Sequence, residues 1–181
     1  MFNRRILLLS LALGLPAAAT AQSGGWTEPV KVWHDDQVAI AYEARLSGDQ
    51  LAIRVTPGRG WHTFCLDNQK RAEEKLAGKQ ALSVDRPTEI ALSDGLTFVG
   101  PWLQTPPKDF SKPELLWYSW GYETPALFLA KVRRSGAGPA RIAIRGQACT
   151  ETVCKNIDVA LSLPLIQSGA PVDPKGLVQA R

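Results

Sequence analysis

Short blocks of alternating apolar and polar residues, each closed by a turn signal, constrain this chain more than any other feature. Val38 to Leu46 (VAIAYEARL) alternates as a half-buried strand must, because successive side chains point to opposite faces. Ser47-Gly48-Asp49 turns the chain, and Leu51 to Thr56 alternates again, so the two blocks read as a hairpin. Pro57-Gly58-Arg59-Gly60 is a second turn, and Trp61 to Leu66 a third strand. Further strands are expected at Ala81–Val84, Thr88–Leu92, Pro125–Val132, Ala140–Arg145 and Ile157–Leu163, with Asp94-Gly95 and Ser135–Pro139 as turns. About eight short strands at this spacing point to an all-β sandwich. One short, highly charged helix is expected at Asn68–Leu76, capped by Asp67 or Asn68 and ended by Gly78. Leu96 to Tyr118 has little periodicity and reads as a long Trp/Pro-rich loop. Such loops inside compact domains are usually functional. No internal repeat or low-complexity block is present.

The ends divide the chain. Residues 1–21 read as a secretory signal peptide: Arg4 and Arg5, a short apolar run from Ile6 to Leu15, and Ala19-Thr20-Ala21 as a cleavage site. That run is too short to span a bilayer, so no membrane insertion is expected after the signal is removed. The mature chain is expected to be soluble and periplasmic. Residues 22–37 form an N-terminal extension whose Trp26 and Trp33 tack it to the core. Residues 38–166 form the sandwich, and residues 167–181 a flexible tail. The net charge of +4 partly reflects the leader arginines. No basic stripe interleaved with aromatics argues for nucleic acid.

Chemistry concentrates in Gly146-Gln147-Ala148-Cys149-Thr150-Glu151-Thr152-Val153-Cys154. Closing so small a ring constrains the unfolded chain by only about 2 kcal/mol, which weakens the case for a purely stabilising disulfide. Neighbouring thiols can instead open and close as a two-electron couple. A permanent staple and a redox pair both remain open on this evidence. Cys149 follows one strand and Cys154 precedes the next, which places the pair at a hairpin end within reach of a partner. Glu151, the nearest charge, is expected to disfavour a thiolate there. Cys65 is the odd cysteine of three and reads as a buried free thiol, with a resolving role as the alternative. His62 reads as a strand residue and His34-Asp35-Asp36 as a solvated turn. The cysteine and histidine spacing matches no zinc pattern, so neither a metal nor a cofactor is expected. No Ser-His-Asp set, phosphate loop or paired-carboxylate motif stands out.

Gly60-Trp61-His62-Thr63-Phe64, Pro106-Pro107-Lys108-Asp109-Phe110, Trp120-Gly121-Tyr122-Glu123 and Gln147-Ala148-Cys149 with Cys154 together resemble one known family. It is the N-terminal domain of the bacterial thiol:disulfide interchange protein DsbD, with its stand-alone exported versions. The resemblance covers Val38 to Leu165. It implies an immunoglobulin-like β-sandwich with Cys149 and Cys154 as the redox disulfide and catalytic pair. It also implies exchange with a thioredoxin-like or membrane redox protein, reducing equivalents then passing to oxidised exported proteins. In the family the second cysteine faces the partner, which here is Cys154. An aromatic loop shields the pair in the family, and Trp102 to Trp120 is the corresponding region. Trp102, Trp117, Tyr118, Trp120 and Tyr122 are the shielding candidates, with Glu151 as a modulator.

The chain also departs from the pattern. The best-known member places five residues between its cysteines and this chain four, and Lys155-Asn156 stand where many members have prolines. The membrane-spanning and thioredoxin-like regions of the full protein are not in this chain, so a reductant is expected in trans. Two other readings stand beside exchange. One is a non-catalytic β-sandwich binding module with a structural Cys149–Cys154 disulfide and the Trp-rich loop as its contact surface. The other is a metal-handling envelope protein using the three thiols.

Overall fold

Gly48 takes a left-handed φ of 61° between two long alternating strands, β2 (Gln37–Ser47) and β3 (Gln50–Pro57). The expected hairpin forms there with Leu46 opposite Leu51 and Tyr42 opposite Val55. The structure, a computed structural model, describes residues 25–81, 85–166 and 169–181. The expected signal peptide and most of the expected strand at Ala81–Val84 lie outside these residues; Ala81 itself is not in a strand.

β1 (Val30–His34) pairs with β2, so part of the N-terminal extension is the outer strand of the first sheet. Trp26 tacks this end down with the Arg45 and Arg54 guanidiniums both over its ring, while Trp33 is half exposed. After β3 come β4 (His62–Phe64), α1 (Asn68–Leu76) and β5 (Glu89–Ser93). The expected long loop contains three short strands, β6 (Leu96–Phe98), β7 (Leu103–Gln104) and β8 (Lys108–Asp109), then a 3-10 turn at Pro113–Leu115. β9 (Trp120–Tyr122), β10 (Ala126–Arg134), β11 (Ala140–Cys149), β12 (Cys154–Leu163) and β13 (Val178–Gln179) complete the chain. Strands of two or three residues are too short for an alternation to register, which is why this stretch reads as a loop.

Among the described residues, one sheet runs β1-β2-β3-β10-β7-β13, with β6 also on β10. The other runs β12-β11-β4-β9-β8, with β5 also on β11. Every pairing is antiparallel. The two sheets pack face to face as a β-sandwich. Tyr42, Leu46, Ile53, Val55 and Phe128 line the first inner face; Ile142, Ile144, Ala148, Ile157 and Leu161 line the second. Each such aliphatic chain contributes roughly 1.5–3 kcal/mol by leaving water.

α1 starts and stops where the sequence places it, burying only Asn68, Ala72 and Leu76. Asp67 occupies the cap position but makes no cap bond. Its carboxylate turns inward to Arg71 and Gln104. The tail departs from expectation as well. β13 pairs with β7, Val172 N–H donates to Gln50 Oε1, and Arg181 N–H donates to Asp67 Oδ2. These backbone donors find partners on the sandwich, so the described end is docked despite its Pro/Gly content.

Candidate functional site

The β11–β12 ladder runs without a slip from Ala140 opposite Leu163 to Cys149 opposite Cys154. The cysteines are therefore the last and first residues of their strands, rather than caps beyond them as the sequence suggested. They face each other directly, with Cα atoms 4.0 Å apart, and are joined as a disulfide. Thr150 closes the loop between them. Its N–H donates to the Val153 carbonyl at 2.8 Å, and its Oγ1 accepts from the N–H groups of Thr152 and Val153.

Alternation decides which way the disulfide points. Ile142, Ile144 and Ala148 of β11 face the core, so Arg141, Arg145 and Cys149 face outward. On β12, Ile157 and Leu161 face the core and Cys154 faces outward. The disulfide thus lies on the outer face of the sheet. β12 is the sheet's edge, and Cys154 is exposed there. Cys149, one strand further in, is only 3% exposed. An outer-face residue can be that buried only if something else covers the sheet.

The cover stands beside β4. His62 lies opposite Cys149 in the β4–β11 pair, making a row His62–Cys149–Cys154 across three strands. Phe110 leans on His62 with ring centroids 5.0 Å apart. A groove of about 990 Å³ opens at this place, lined by Trp61, His62, Phe110, Trp117 and the hairpin loop Thr150–Thr152. Asp85, Lys108, Lys112, Glu123 and Glu151 supply its charges. Lys108 pairs with Glu123 at 2.6 Å and stands over Phe110, and Lys112 stands over Trp117. Trp117 Nε1 donates to Asp85 Oδ2 at 2.8 Å, and Lys112 and Trp117 exchange backbone bonds. These contacts hold the 108–117 segment against the outer face. Neither this groove nor a second depression of about 530 Å³, beside Arg86, Arg145 and Asp158, is lined by Cys149 or Cys154.

Of the expected shielding residues, only Trp117 lines the groove, and Glu151 lines it from the hairpin loop. Trp120 and Tyr122 are core residues; Tyr122 OH donates to the Thr105 carbonyl at 2.9 Å. Trp102 packs edge-on against Phe98, and its carbonyl accepts from Ala180 N–H. Tyr118 is partly buried against the core. These four aromatics fill space within the fold. Phe110 and His62 are the residues sequence reasoning missed. The signal for Phe110 lay in the Pro-Pro-Lys-Asp-Phe stretch; that for His62 lay in its outward position between buried Trp61 and Thr63.

Burial pulls the His62 pKa below its ordinary value, while Asp85 and Glu123 act against that pull. Cys65 is free and fully buried. Burial, followed by the neighbouring Asp67 carboxylate, pushes its thiol far up, so it stays protonated. Among the described residues, no three His, Cys, Asp or Glu side chains gather as a metal site needs. No helix there is long and apolar enough to cross a membrane.

No protein-family model and no curated protein matches the chain. Among solved structures it is similar to the N-terminal domain of Neisseria meningitidis DsbD in the reduced form, at 14% identity and a TM-score of 0.48, covering 79% of this chain and 91% of that one.

Proposed function

We propose that this chain is an exported thiol–disulfide exchange domain in which Cys149 and Cys154 cycle between disulfide and dithiol. The observation that carries the reading is the unequal placement of two directly bonded sulfurs on the outer face of a sheet: Cys154 at the open edge, Cys149 covered. Exchange needs an outside thiolate to approach one sulfur along the line of the S–S bond. From the free edge of β12 that line leads to Cys154. The opposite approach, to Cys149, would pass through His62 and β4. One sulfur therefore receives the partner and the other is the leaving group.

A purely structural role fits less well. Ten residue pairs already hold β11 to β12, and Thr150 closes the turn by hydrogen bonds. The disulfide adds only about 2 kcal/mol to so local a contact. The partner in this reading is a thioredoxin-like or membrane redox protein supplied in trans, and the acceptors are oxidised exported proteins in the periplasm.

The reduction potential of the Cys149–Cys154 bond, measured against glutathione and dithiothreitol buffers, tests the proposal. A value between roughly −120 and −270 mV, the range of known exchange proteins, supports cycling. A value below roughly −300 mV identifies a fixed staple and leaves the binding-module reading.

A further inference from the structure

We infer that His62 is the general base and acid for the buried sulfur, Cys149; the inference rests on the exchange reading above. Exposed Cys154 can lose its proton directly to solvent, but Cys149, at 3% exposure, cannot. A thiol must become a thiolate to attack, so Cys149 needs a proton acceptor inside the protein. In the cross-strand row that holds it, its two neighbours are Cys154 and His62. Side chains directly opposite in an antiparallel pair share a face, with Cβ atoms about 4.5–5.5 Å apart. Of the two, only His62 carries a base that works near neutral pH.

The surroundings suit that task. Phe110 packs tilted against the imidazole at a centroid distance of 5.0 Å and Phe64 edge-on at 5.4 Å. The groove opens beside it, giving the ring a route to exchange its proton with solvent. Charges reach it from three other parts of the chain. Asp85, ahead of β5, and Glu123, just after β9, favour the imidazolium; Lys108 of β8 opposes it. Glu151 and Lys112 line the same groove. Burial keeps the resting ring neutral and so available as a base, while the two carboxylates support the charge it acquires.

The step balances as follows. The Cys154 thiolate attacks a disulfide of an exported protein, forming a mixed disulfide and releasing the partner's first thiolate. His62 then takes the proton of Cys149. The Cys149 electron pair forms the bond to Cys154 Sγ, and the bond from Cys154 to the partner breaks. The partner's second sulfur leaves with that electron pair and accepts a proton from the imidazolium or from water. The chain is oxidised by two electrons and the partner disulfide is reduced by two. In the opposite direction, the imidazolium returns its proton to the Cys149 thiolate as that sulfur leaves.

The test uses the Cys154→Ser protein, in which Cys149 is free. The alkylation rate at residue 149 is followed against pH by mass spectrometry, which separates it from Cys65. The same profile is taken with His62→Gln and with His62→Phe, the latter keeping a ring against Phe110. The expected result is a Cys149 profile moved to higher pH in both, with the rate at pH 7 down about tenfold or more. A His62→Phe profile that matches the parent means packing alone, and overturns the inference. A second readout is the NMR titration of His62 in oxidised and reduced protein. The chain has two histidines, so His62→Gln identifies the signal. Its midpoint is expected to rise on reduction, and identical midpoints overturn the inference. Neither readout depends on the reduction potential. A staple-like potential with these couplings intact would remove the exchange reading alone, and an exchange-like potential without them would remove His62 alone.

Discussion

Asp67 and Gln104 meet in the interior at 2.7 Å, tying the start of α1 to β7. Asp67 also pairs with Arg71 at 2.9 Å and accepts the Arg181 N–H at 3.1 Å. Burial opposes its charge, yet these donors hold its carboxyl down to about 2, below the usual 3.8. A depressed carboxyl stabilises the fold above its unfolded pKa, and that contribution disappears as pH falls from the usual value through the folded one. Asp67→Asn is expected to lose about 2 kcal/mol at pH 7 in urea unfolding. The gap from the wild type should close between about pH 4 and pH 2. An equal gap at pH 7 and pH 2.5 would contradict this account.

The two sulfurs should differ sharply in reach. With Cys149→Ser, the exposed Cys154 remains; with Cys154→Ser, the covered Cys149 remains. Reaction with an aromatic disulfide reagent at pH 8 is expected to be at least about tenfold faster in the first variant, because access limits exchange. Equal rates would mean that the cover does not hold in solution.

Phe110 leans on His62 beside Cys149 and is itself half-buried. Phe110→Ala should therefore accelerate reduction of the disulfide by dithiothreitol several-fold. Stopped-flow kinetics on both proteins would show it. A rate unchanged, with folding intact by circular dichroism, assigns the cover to another side chain such as Trp117.

Gly121 sits where β9 runs against β4. A Cβ there would lie 1.9 Å from the Thr63 carbonyl oxygen, a backbone atom with no freedom to move aside. Gly121→Ala is expected to destabilise the protein by about 3 kcal/mol or more, since a strand pair must separate. Equilibrium denaturation measures it. A loss under about 1 kcal/mol would show that β9 shifts without cost.

Much of the fold was legible because long strands carry their own signal. Alternation marks β2, β3 and β10 to within a residue or two, since each has one face against the core. β11 and β12 extend further at the cysteine ends than alternation shows, because Gly146, Gln147, Lys155 and Asn156 blur the apolar pattern there. β7, β8 and β13 were not legible, because two residues cannot display a period. The tail read as flexible from its composition, yet Arg181 finds its partners in Asp67 and Glu74, more than a hundred residues away.

By itself the sequence determined a β-rich sandwich and a pair of nearby cysteines at the end of a hairpin. Both follow from local spacing: a period of two and four intervening residues. Tertiary structure alone decided that Cys149 is covered while Cys154 is open, and that His62 and Phe110 are the neighbours that matter. Strand order and register set those relations, bringing β4 beside β11 so that Thr63 bonds the Gln147 carbonyl across 84 residues. Spacing along the chain carries no information about which strand lies next to which.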